Sequence, residues 1–234
     1  RKGIVPVLKF NHQLARLKFF VRAGSESAAG YKYEGSNWVE RKSTDGQDKT
    51  LGMQVTKITL KDMVNVVDMD LATTTSARNG ASTAPFVVCS KDVDNKNKLD
   101  PDKGLITPVV PKYPYGHENI PAEGDPDAKG TQVGEPVMFF PNGNINLSID
   151  LKQYVEDTKD ETDGDKITYK EVEKLDTPLI IDQSKISKDV KEFKAGASYN
   201  VYITIYGFEK IEVTAVLTAW EDGGDIETDI EDGK

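Results

Sequence analysis

The stretch Ala197–Trp220 reads ASYNVYITIYGFEKIEVTAVLTAW, and its alternation decides the fold. In its first half Tyr199, Val201, Ile203 and Ile205 alternate with Asn200, Tyr202, Thr204 and Tyr206. After Gly207-Phe208-Glu209-Lys210, Ile211, Val213, Ala215, Leu217 and Ala219 alternate with Glu212, Thr214, Val216, Thr218 and Trp220. Two period-two runs of β-branched and aromatic residues, joined by a short Gly-containing break, predict an antiparallel hairpin. Each strand offers one apolar face, which is stable only against a second layer.

Other stretches with the same period supply that layer. Leu8 and Phe10 share a face of a first strand, and Ala15, Leu17, Phe19 and Val21 then alternate with Arg16, Lys18, Phe20 and Arg22. The offset between the two sets implies a bulge or short turn near Asn11-His12. Residues 24–50 are rich in Gly, Ser, Lys and Asp, with Tyr31, Tyr33 and Trp38 as their large apolar groups, and read as a surface excursion or a short polar hairpin. Thr56, Ile58 and Leu60, then Val64, Val66 and Val67, return to strand character. Asn142-Gly143-Asn144 is a hairpin turn signal, followed by the alternating Ile145, Leu147, Ile149 and Leu151. Lys166–Tyr169 and Leu179–Ile181 are further short strands, after an acidic loop at Glu156–Asp165. Val190 and Phe193 fit one short helix or turn that ends at Gly196.

No helical period extends beyond about three turns. The fold class is therefore all-β, a two-sheet antiparallel sandwich with long loop insertions. The expected core is Leu17, Phe19, Val21, Phe139, Ile145, Leu147, Ile149, Val201, Ile203, Ile205, Val213 and Leu217. Residues 1–222 form a single sandwich domain, and 223–234 an acidic tail. The longest insertion spans about 72–134, with an acidic run at Asp92–Asp102 and prolines from Pro108 to Pro126. Loops of that length inside a domain are uncommon and often functional.

Charge narrows the function. The 234 residues carry a net charge of -9, with 29% charged residues, and the mean hydropathy is -0.51. Nucleic-acid binding needs a concentrated basic stripe, and none is present. Attraction to anionic lipid is disfavoured for the same reason. No apolar run reaches the roughly 20 residues that span a bilayer. Cys89 is the sole cysteine, so no intramolecular disulfide staples the fold. Following Val87 and Val88, it reads as a small buried residue.

Catalytic and metal signatures do not assemble. His12 and His117 are the two histidines, and they make no zinc spacing. His12 reads as a hydrogen-bonded structural side chain, and His117 as part of a solvated proline-rich turn, Tyr113-Pro114-Tyr115-Gly116-His117-Glu118. The acidic runs at 92–102 and 160–165 offer oxygen ligands for calcium. An EF-hand loop, however, needs ligands at positions one, three and five, Gly at six and Glu at twelve. Counting from Gly164 puts Lys159 at position one and Lys170 at twelve, and Lys96 interrupts the other run. There is no GxSxG elbow, Walker loop or GxGxxG after a strand. No catalytic residue, metal or cofactor is expected.

Three stretches together resemble the fimbrillin-like proteins of the Bacteroides group. Val7–Val21, VLKFNHQLARLKFFV, resembles that family's F-x-H-x-L-(A/S)-(K/R)-L strand. Val137–Ile149, VMFFPNGNINLSI, is similar to its proline-ended strand, turn and alternating strand. Lys194–Gly223 is similar to its terminal pattern of Ala-Gly, aromatic-rich strand, short turn, second strand and closing Trp. The resemblance implies a transthyretin-like sandwich and a subunit of a type V pilus, exported as a lipoprotein and displayed on the outer membrane. It further implies that this chain is the C-terminal domain of a longer precursor. In stalk subunits of that family a neighbour's C-terminal strand fills the groove left by a cleaved first strand, which is β-augmentation. Ile226, Thr228 and Ile230 would share one face of such a donor strand, though two isoleucines make it thin.

The expected function is thus a non-enzymatic structural or adhesive subunit of a cell-surface fimbria, with other fimbrial subunits as partners. An alternative is a surface module that binds glycan or host protein through the 72–134 loop. Tyr113, Tyr115 and His117 are its candidate contacts, because long loops on a rigid sandwich commonly carry recognition.

Overall fold

Along Ser198–Thr218 the alternation becomes two strands paired in the expected way, and the remaining strands build outward from them. The computed structural model describes residues 13–64, 67–70, 75–78, 83–90, 108–121, 125–141, 143–160, 166–183, 186 and 192–218. The Leu8 and Phe10 strand, His12, the 92–102 run, Val190, and Ile226, Thr228 and Ile230 lie outside the described residues.

The described strands are β1 (Ala15–Ala23), β2 (Tyr31–Glu34), β3 (Asn37–Glu40), β4 (Gln54–Val64), β5 (Val67–Asp70), β6 (Thr75–Arg78), β7 (Thr83–Ser90), β8 (Thr131–Phe139), β9 (Ile145–Asp160), β10 (Lys166–Ile181), β11 (Ser198–Ile205) and β12 (Ile211–Thr218). They form an all-β sandwich. One sheet has the order β12-β11-β1-β8 and the other β10-β9-β4-β7, with β2-β3 and β5-β6 as separate hairpins. Tyr199, Val201, Ile203 and Ile205 on β11, with Leu17, Phe19 and Val21 on β1, are buried against Ile58, Leu60, Leu147 and Ile149 of the facing sheet in one apolar cluster. Phe193 closes one end, edge-on to Phe139 at 5.2 Å and to Tyr199 at 4.9 Å.

One pair departs from the antiparallel expectation. β1 and β11 run parallel, with Phe19 opposite Val201 and Val21 opposite Ile203. Alternation fixes which face is buried but not the direction of strands far apart in the chain.

Three local expectations are corrected. Leu217 is 43% exposed rather than core, because β12 is an edge strand and Leu217 lies near its end. Val213, on the same strand, is partly buried and packs against the core. The 72–134 loop contains β7, paired with β4, which puts Val88 and Cys89 in the core. Pro85 is compatible with that assignment because β7 is an edge. At the side of the sandwich β7 and β8 approach so closely that a Cβ on Gly134, where φ is +68°, would come within 2.6 Å of the Val88 carbonyl oxygen.

The acidic loop at Glu156–Asp165 is also shorter than expected. Glu156–Asp160 belongs to β9, and β10 continues through 170–178 with a register shift between Lys174 and Thr177. β9 pairs with β4 only from Leu147 to Lys152, so the distal part of the β9–β10 hairpin extends as a two-stranded ribbon. Lys170–Asp157 at 2.7 Å and Lys152–Glu171 at 2.9 Å balance its charge. Gln153 braces it by donating to the carbonyls of Ser27 (2.8 Å) and Leu51 (2.9 Å).

Candidate functional site

Residues 108–121 run as a strap across one end of the sandwich. Prolines at 108, 111, 114 and 121 stiffen the strap and disqualify it as an interior strand. Its remaining backbone groups find partners in succession. Val109 and Val55 exchange two hydrogen bonds, Gly30 donates to the Pro111 carbonyl (2.8 Å), Tyr31 to Lys112 (3.0 Å), and Tyr115 to Ala23 (2.7 Å). The strap therefore ties β4, in one sheet, to the end of β1, in the other.

The strap meets the β2–β3 hairpin through aromatic rings. Gly35 and Ser36 both have positive φ, 53° and 72°, as a two-residue hairpin turn requires. That turn sets Tyr33 directly opposite Trp38, with ring centres 5.2 Å apart. Trp38 in turn lies 4.9 Å from Tyr113 and 5.0 Å from His117, and its indole N–H donates to the Asn119 carbonyl at 2.9 Å.

Asp125 locks this cluster electrostatically. Its Oδ1 accepts from the Asp127 backbone N–H at 2.9 Å, capping a short 3-10 turn at Pro126–Lys129. Its Oδ2 accepts from the Tyr113 hydroxyl at 2.8 Å and from Lys112 Nζ at 3.1 Å. The Asp127 N–H and then the Tyr113 hydroxyl hold the Asp125 carboxyl below its ordinary value. Burial, and then Asp125, push the Tyr113 phenol up. Tyr113 and Asp125 keep the Lys112 ammonium above the usual lysine range. A groove of about 320 Å³ lies alongside, bounded by Tyr31, Glu40, Val110, Lys112, Asp127 and Thr131.

A second group stands on the outer face of the β1–β11 pair. Phe20 and Tyr202 are opposite each other in register, and their rings stack at 5.2 Å. The Arg22 guanidinium carbon sits 3.5 Å from the centre of Tyr202 and 4.2 Å from that of Tyr115. Arg22 Nε also donates to the Lys129 carbonyl at 2.6 Å. Burial between the rings lowers the Arg22 pKa, opposed by Tyr115 and Tyr202.

The three candidate contacts are thus divided. Tyr113 is 8% exposed with its hydroxyl engaged by Asp125. His117 packs on Trp38 and on Tyr33, and its Nδ1 accepts from the Asn119 N–H at 3.2 Å. Tyr115 is 55% exposed and faces Arg22. Sequence reasoning missed Arg22, Tyr202 and Asp125. The first two left a signal, since both occupy outward positions of alternating runs. Among the described residues no group of three or more His, Cys, Asp or Glu side chains is placed to hold a metal ion.

No protein-family model and no curated protein matches the chain. A solved structure similar to it is that of a "putative cell adhesion protein" from Bacteroides uniformis, with 13% identity and a TM-score of 0.40. The match covers 90% of this chain and 52% of that one, so this chain spans about half the length of its counterpart.

Chemically, the strap cluster is a packed and hydrogen-bonded anchor, because most of its polar atoms are committed to one another. The Arg22 group differs in presenting a fixed cation and a largely exposed ring to solvent.

Proposed function

We propose that the chain is a non-enzymatic structural and adhesive subunit of a cell-surface fimbria, which joins neighbouring subunits by strand addition. One edge carries this function. Of the four outer strands of the sandwich, β7, β8 and β10 each combine a proline (Pro85, Pro136, Pro178) with a shift in register. Prolines and bulges are the devices by which natural sheets blunt an edge. β12 has neither, and pairs with β11 without interruption from Ser198↔Thr218 to Ile205↔Ile211. Its two faces expose Val216 (44%) and Leu217 (43%). An edge that, among the described residues, is regular and carries neither proline nor bulge is the geometry that accepts a further strand.

The resemblance of Val7–Val21, Val137–Ile149 and Lys194–Gly223 to fimbrillin-like proteins adds surface display, a lipid anchor on a longer precursor, and a C-terminal donor segment at Ile226, Thr228 and Ile230. The test is the Val216→Lys variant, which puts a charge on the edge without entering the core. The parent chain is expected to form higher-order assemblies by light scattering and electron microscopy, and the variant to remain monomeric with an unchanged circular-dichroism spectrum. Equal assembly by both proteins would refute the proposal.

A second function, glycan or host-protein binding by the strap, is favoured by one observation, the exposure of Tyr115. Tyr113 and His117 would then support the strap rather than touch the ligand.

A further inference from the structure

We propose that the outer face of the β1–β11 pair, at Arg22, Tyr115 and Tyr202, binds a saccharide that carries a carboxylate, of the uronic-acid class. The site deepens the binding function of the strap and is independent of strand addition at β12.

Charge is the first argument. The chain has 39 acidic residues against 30 basic ones, yet the partners of Arg22 among the described residues are two aromatic rings and a backbone carbonyl, not a carboxylate. The Arg22 Nε is used by the Lys129 carbonyl, which brings the Lys129 backbone to the guanidinium and leaves the Nη groups of Arg22 without an anionic partner. A guanidinium stays charged at any physiological pH and offers paired N–H donors that match a carboxylate. Desolvation between two rings strengthens the attraction to an incoming anion.

Shape is the second. Tyr202 is backed by Phe20, and Tyr115 is fixed through its own N–H to the Ala23 carbonyl, so the cation is held before any ligand arrives. Tyr115 is 55% exposed, and a Cβ added to the adjacent Gly116 would meet nothing within 4 Å. The guanidinium covers one face of the Tyr115 ring, so a sugar ring stacks on the other face of that exposed ring, and the carboxylate of an adjoining sugar unit reaches round its edge to the arginine. A peptide fits less well. β1 is an interior strand whose backbone is already paired with β11 and β8, so a peptide would find no main-chain partners there.

The experiment is calorimetric titration of the full chain at 0.15 M salt with an oligogalacturonate, with the neutral galactose oligosaccharide of equal length, and with an acidic peptide of equal charge. Saturable binding of the oligogalacturonate alone is expected. Arg22→Gln and Tyr115→Ala should each weaken it about tenfold or more, as loss of a charge-assisted bond or a stacking face does. If Arg22→Gln fails to fold, Tyr115→Ala, at a 55% exposed position, keeps the test open. No binding, equal binding of the neutral sugar or of the peptide, or affinity unchanged in the folded variants would overturn the proposal.

Discussion

The hydroxyl of Tyr113 donates to Asp125 Oδ2 at 2.8 Å, and the same oxygen accepts from Lys112 Nζ at 3.1 Å. One carboxylate thereby fastens the strap to the 3-10 turn that leads into β8. A hydrogen bond to a charged group contributes about 1.5–3 kcal/mol. Asp125→Ala is therefore expected to destabilise the protein by about that amount in a urea titration. Tyr113→Phe, which leaves the carboxylate its other donors, should cost about 1 kcal/mol.

The same carboxylate sets a pH dependence. Its folded-state pKa lies below the ordinary 3.8, so its contribution is complete above the unfolded value. It is lost as pH falls through the lower, folded value. Stability measured from pH 6 down to pH 2 should decline less steeply for Asp125→Asn than for the parent. Parallel curves would remove Asp125 from this role.

Cys89 offers a probe of the β7 assignment. It is 5% exposed, and burial pushes its thiol up to about 12. At pH 8 the native protein is expected to be inert to a thiol-specific reagent and to react once denatured, since the thiolate is the reactive form. Rapid labelling of the folded protein would mean that β7 does not place Cys89 in the core.

Position within β11 and β12 separates core from edge. Ile203 is fully buried, and Ile203→Ala should cost about 2–5 kcal/mol, while Ile203→Asp should prevent folding. Leu217, at 43% exposure, should tolerate alanine within about 0.5 kcal/mol. Thermal melts of the two alanine variants decide the point, and equal losses would contradict the placement of β12 at the rim.

The sequence read most clearly where one face is buried. β1, β11 and the first half of β9 alternate because the core requires it, and the Gly207–Lys210 connection lies between strands whose pairing is local. What stayed hidden had no such pattern. Glu156–Asp160 and Lys170–Glu173 form a ribbon with little to bury, held by cross-strand charges such as Lys170–Asp157. β7 is masked by Pro85 and polar flanks, and the parallel direction of β1 against β11 is a long-range outcome. Of the candidate site, Tyr115 was visible as an aromatic residue in a long loop. Its partner Arg22 was not, because their meeting depends on the strap crossing the end of β1. Asp125 was hidden among the many acids of the chain.

The central claim is that β12 is the edge at which a neighbouring subunit adds its strand. Amide hydrogen exchange along Ile211–Thr218, compared between the monomeric and assembled protein, tests it most directly. Strand addition predicts that alternate amides of β12, open to solvent in the monomer, become protected on assembly while those already bonded to β11 change little. Assembly that leaves every β12 amide exchanging at its monomer rate would contradict the claim.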